Sequence, residues 1–174
     1  MQLRSLRHII EAVRALVHPK RITVMGSSSL LVHDATLGEP GQPLELSLDA
    51  DLLLDPTDAG QASVVHEAVG EGSLFHREYG FYADLLRPEI GETLPAGWRQ
   101  RCVVMAGVER VVCLDPYDLA VAKLALAREK DVALLRALLD RGLIELDRLR
   151  ERYQETRMDE KRMFRAGRTM AALE

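Results

Sequence analysis

SLDADLLLDP, residues 47–56, decides how the chain is read. Leu52, Leu53 and Leu54 form a short apolar run closed by Asp55-Pro56, which predicts a strand over about 48–54. Asp49 and Asp51 stand two apart at its start, and residues i and i+2 of a strand share a face. Two carboxylates held that close repel, so one of them tends to keep a proton. Two readings fit the pair alone. Either both acids are solvated where the strand begins, or they share a divalent cation, and hard oxygen ligands suit Mg²⁺.

Upstream, Leu3, Leu6, Ile10, Val13 and Val17 recur at helical spacing, so residues 2–17 predict a helix that His18-Pro19 ends. Ile22 to Met25 is a short β-type run. Gly26-Ser27-Ser28-Ser29 follows it, and Leu30 to His33 reads as the start of another helix. Glycine lets backbone approach closely, and amides at a helix start attract phosphate. This turn is therefore either an ordinary Gly-Ser turn or a phosphate cradle. The stretch 37–43 is loop by composition.

Downstream, Asp58 with Gln61 three residues later resembles a capping box and predicts a helix over about 59–69, stopped at Gly70-Glu71-Gly72. Residues 78–86, rich in aromatics, predict a strand, and 87–100 a loop. Asp84 is a lone acid in that strand. It needs a partner, which is either an arginine or a metal shared with Asp49 and Asp51. Two β-type runs, 101–105 and 109–114, meet through Ala106-Gly107 as a hairpin. Asp115-Pro116-Tyr117-Asp118 is a strong helix start. From there to about 172 the pattern predicts three or four helices with a break near Gly142.

The first of these helices, 119–127, is apolar almost all round and should be buried. Lys123 is its only charge. It either snorkels to the surface or meets an anion. Arg128 and Asp131 lie three apart, close enough to pair with each other.

The bulk numbers exclude several classes. A length of 174 residues implies one compact domain, an α/β core over 1–114 with a helical region over 115–174 packed on it. A net charge of −4 argues against a polycation built for nucleic acid. No apolar run approaches the roughly 18 residues of a membrane span. The N-terminus lacks the apolar stretch of a signal peptide, so a cytoplasmic protein with no membrane partner is expected. Cys102 and Cys113 flank the hairpin, where reduced, packed thiols or a cross-strand bridge both fit. The five histidines show no ligand spacing. Arg148 to Arg168 carries eight basic residues, Arg152, Arg162 and Arg165 among them, interleaved with acids. That composition suits a solvated helix face or a contact with RNA.

Taken in order, Gly26-Ser27, Asp49-x-Asp51 and the strand acid Asp84 resemble the signature of the nucleotidyltransferase (polymerase-β-like) fold. More narrowly, the chain is similar to minimal nucleotidyltransferases related to the AbiEii-type toxins. The Leu94-to-Trp98 turn before a hairpin and the helix with Asp118-Leu119, Lys123-Leu124, Ala125, Arg128, Lys130 and Asp131 carry that likeness. Relatives often have Gly-Gly where this chain has Gly26-Ser27. The resemblance implies a small mixed β-sheet flanked by helices. It implies transfer of a nucleoside monophosphate from an NTP to a hydroxyl of RNA or protein. In that scheme Asp49, Asp51 and Asp84 bind Mg²⁺ or Mn²⁺, and Asp84 helps deprotonate the acceptor. Gly26, Ser27 and Ser28 hold the triphosphate, Lys123 and Arg128 offset phosphate charge, and a cognate toxin or antitoxin is a partner. The alternative it leaves is a protein of the same fold that binds without catalysis, as an antitoxin or nucleotide sensor.

Overall fold

A computed structural model describes residues 1–56 and 58–173. The chain divides into two compact units. An α/β unit comprises Met1–Pro88 and Cys102–Leu114; a helical unit comprises Glu89–Arg101 and the residues from Asp115 on.

The α/β unit is built on five strands: β1 (Arg21–Val24), β2 (Asp49–Asp55), β3 (Tyr82–Leu85), β4 (Val103–Val104) and β5 (Val111–Cys113). Their order is β3-β2-β1-β5-β4. β2 runs antiparallel to β1, while β3 and β5 lie parallel to their neighbours β2 and β1. The sheet is therefore mixed, as expected. Ile22, Val24, Ala50, Leu52, Leu54, Ala83, Val111 and Cys113 share one face through the register and are all buried. A fully buried Leu or Ile there contributes about 1.5–3 kcal/mol. Helix α1 (Leu3–Val17) adds Leu6, Ile9, Ile10 and Val13 to the core and packs on α2 (Ala59–Val69). α2 starts where the sequence predicts, with the Asp58 carboxylate accepting from the Gln61 amide at 2.8 Å.

Three local expectations change. Residues 78–81 are not strand: α3 (Leu74–Tyr79) occupies the first part of that stretch. Ser73 caps α3 by accepting from the His76 amide, and Gly80, with φ 76°, ends it in the left-handed region. Phe75 and Tyr79 stay together there by packing on His8. The Gly26 turn opens into a 3₁₀ segment, Ser27–Val32, that begins before Leu30. The expected loop over 87–100 contains a 3₁₀ turn, Pro88–Thr93, and begins α4 (Trp98–Arg101).

In the helical unit, α5 (Pro116–Leu126) is the hub. Asp115 caps it through the amides of Tyr117 and Asp118. It touches α6 (Glu129–Asp140), α7 (Leu146–Gln154) and α8 (Glu160–Ala171), so it is buried nearly all round as its composition demands. Gly142, with φ 66°, marks the break after α6. Among the described residues no helix is long and apolar enough to cross a membrane. Cys102 and Cys113 form no disulfide, and burial pushes the Cys113 thiol up to about 12.

Candidate active site

The parallel register of β2 and β3 sets Asp49 beside Tyr82 and Asp51 beside Asp84. Parallel partners share a face, as do residues two apart on one strand. Asp49, Asp51 and Asp84 therefore project together from adjacent strands about 4.8 Å apart, opposite the buried Ala50 and Ala83. Asp49 and Asp51 are half-buried and Asp84 is exposed.

Electrostatics report the crowding. Asp84 keeps contact with solvent, yet packing around its carboxyl raises its pKa above the ordinary carboxylate value. The charges of Asp49 and Glu71 push it the same way, and His66 opposes them. The Tyr82 phenol is raised by burial and then by Asp49, Glu71, Asp84 and Asp51. Asp49 accepts a long hydrogen bond, 3.5 Å, from the Ser47 hydroxyl. Tyr82, Glu71 and His66 thus belong to the surroundings of the acids, a grouping that the motifs in the sequence do not reveal. Period-2 alternation from Asp84 would have found Tyr82; His66 and Glu71 come from α2 and its end, and no local pattern marks them.

The Gly26 turn meets the same acids. The Met25 amide donates to the Asp51 carbonyl at 2.9 Å. A Cβ built on Gly26 would stand 1.7 Å from Asp51 Oδ2, so the carboxylate rests against bare glycine backbone. Of the hydroxyls that follow, Ser27 is half-buried. Ser28 is buried, and its Oγ has no hydrogen-bond partner among the described residues.

The donors suit a hard divalent cation in kind, being carboxylates crowded on one face. Among the described residues, however, no group of three or more His, Cys, Asp or Glu side chains is placed so that it could hold a metal ion.

Lys123 and Arg128 lie in the helical unit, gathered on Asp131. The Lys123 ammonium is 3.4 Å from Asp131 Oδ1, and Arg128 Nε is 2.6 Å from Oδ2. Burial pushes the Asp131 pKa up, but hydrogen bonds from Arg128 and the two positive charges outweigh it and hold the carboxyl below its usual value. Of the two fates open to Lys123, the surface or an anion, the second holds, and the anion is Asp131. In a second cluster the sequence marks only Asp118, as a helix-start acid and as a position in the family likeness. Asp118, fully buried, accepts from Arg101 Nε at 2.9 Å and from Arg152 Nη1 at 2.6 Å.

Residues 84–170, half of the chain, match a family model described as a nucleotidyltransferase of unknown function (DUF6036). The match begins at Asp84 and takes in the Asp118 and Asp131 clusters; Gly26, Asp49 and Asp51 precede it. No curated protein and no solved structure matches the chain.

Proposed function

Because the chain belongs to the DUF6036 family of nucleotidyltransferases of unknown function, we propose that it transfers a nucleoside monophosphate from an NTP to an acceptor hydroxyl, on the sheet face that carries Asp49, Asp51 and Asp84. One observation carries this reading: the β2–β3 register, which sets Asp84 beside Asp51 and on the same face as Asp49. Asp49 and Asp51 would hold Mg²⁺ or Mn²⁺, with Asp84 as a further ligand. A divalent ion held there would supply charge neutralisation for the triphosphate and for the leaving pyrophosphate. Asp84 has its pKa raised, which suits a carboxylate that takes the proton of the acceptor hydroxyl. Gly26 makes room for the Asp51 carboxylate, and Ser27 offers a hydroxyl at the turn where the triphosphate would bind. The buried Ser28 hydroxyl, without a hydrogen-bond partner among the described residues, suits a supporting role beneath the phosphates. The proposed site is built from the α/β unit alone. Kinship with AbiEii-type toxins, an RNA or protein acceptor and a cognate antitoxin extend the same reading.

A second reading, a nucleotide binder of the same fold without catalysis, is favoured by the lack of a ready-made metal-binding group among the described residues. One experiment separates the two. The protein is incubated with each labelled NTP, Mg²⁺ and total cellular RNA or protein. Label transferred by the wild type and lost in Asp49→Asn supports catalysis. Retained nucleotide without transferred label selects the binder. Neither binding nor transfer with any NTP refutes both.

A further inference from the structure

The helical unit carries a groove that the proposed chemistry does not use. Its walls are one face of α8 and the junction of α5 with α6, around a cavity of about 570 Å³. Lys161, Phe164, Arg165 and Arg168 follow spacings of three, four and seven, so α8 turns all four the same way. The facing wall is aliphatic, with Leu126 and Val132. Phe164 is 69% exposed and Leu126 46%. A large aromatic left in water beside a second exposed apolar side chain marks a contact surface.

The charge is one-sided. Among the described residues, no carboxylate lines the groove. Neither Lys161, Arg165 nor Arg168 forms a salt bridge among the described residues. Arg165 instead donates to the Ala125 carbonyl at 3.3 Å, which fixes its guanidinium over the end of α5. The helical unit elsewhere matches its buried acids with cations, as at Asp118 and Asp131. Three cations left over around one apolar trough call for an anionic partner with apolar side chains.

Two anionic classes fit in charge, and the lining chooses between them. Single-stranded nucleic acid is held by several aromatic platforms with polar groups for base edges. This groove has one aromatic and no amide side chain, and its single hydroxyl, Thr169, is spent on the Arg165 carbonyl at 3.0 Å. An aliphatic trough with a cationic rim instead fits the helix-in-groove mode, in which apolar anchors at i, i+3/i+4 and i+7 enter the trough and flanking charges meet the rim. We infer that this groove receives an acidic amphipathic helix of a partner protein.

The test uses the full chain as bait for a phage-displayed library of random peptides about 15 residues long, roughly four helical turns. Enriched peptides should carry Leu, Ile or Phe at helical spacing with Asp or Glu between them. The best one, synthesised with a fluorophore, should bind by anisotropy. Phe164→Ala and the pair Arg165→Glu/Arg168→Glu should each weaken it at least about tenfold, whereas Arg77→Glu in the α/β unit should not. Circular dichroism checks that the variants fold. No enrichment, or enrichment of basic or uncharged peptides, would overturn the inference. So would binding indifferent to the groove variants, or tighter binding of a labelled oligo(U) RNA through the same residues.

Discussion

The two units handle carboxylates in opposite ways. In the helical unit each buried acid is matched by two cations: Asp118 by Arg101 and Arg152, Asp131 by Arg128 and Lys123. On the acidic face of the α/β unit, Asp49, Asp51 and Asp84 crowd one another, and no Lys or Arg bridges Asp49 or Asp84 among the described residues. A balanced buried acid serves the fold, because removing it leaves its cations unmatched, Lys123 and Arg152 among them largely buried. Carboxylates crowded on one face cost folding energy, and such groupings are candidates for function. The contrast sets acids that brace the fold apart from the acids that the proposed function would use.

The largest expected effect lies on the structural side. Asp118→Ala leaves Arg101 and Arg152 without their shared acceptor and should cost about 3–5 kcal/mol of unfolding free energy. Urea denaturation measures it. Asp49→Ala should cost far less, and equal losses at the two sites would break the comparison.

Gly26→Ala is expected to come next. The new Cβ would collide with Asp51 Oδ2, so the turn or the carboxylate must shift, at about 1–3 kcal/mol. Nucleotidyl transfer should fall with it. A variant of wild-type stability and activity would mean that the contact between turn and acid is not needed.

The smallest effect is a pair of opposite pH slopes in metal-free buffer. The ordinary carboxyl value is 3.8 for both Asp84 and Asp131. Asp84 is raised in the folded state, so its contribution is present below that value and is lost as pH rises through the folded pKa. Asp131 is lowered, so its contribution is present above that value and is lost as pH falls through the folded pKa. Stability curves of Asp84→Asn and Asp131→Asn against wild type should therefore diverge on opposite sides of the ordinary value. Slopes of the same sign would refute the distinction.

Local signals explain what could be read from the sequence. Asp58 with Gln61, and Asp115 with Pro116, are contacts within one helical turn, so α2 and α5 were legible from residue types alone. The acid pair was legible because strand alternation is local; Asp84 stood out as a lone strand acid in need of an arginine or a shared metal, and the family resemblance joined it to the pair. α3 was not, because aromatic residues suit strands and helices alike; Ser73, Gly80 and packing on His8 settle it. The Asp118 cluster was hidden because Arg101 and Arg152 lie 17 and 34 residues away. Tyr82, His66 and Glu71 around Asp84 depend on register and on where α2 ends, which no single stretch encodes.

The functional side is tested most directly by melting the wild type and Asp51→Asn with and without millimolar Mg²⁺ plus a nucleotide. Without the ion, the two proteins supply the baselines. With it, the wild type should gain about 2.7 kcal/mol at a hundredfold excess over Kd, and Asp51→Asn should lose most of that gain. Equal shifts in both proteins, or no shift in either with any nucleotide, would contradict a metal and nucleotide site on this face.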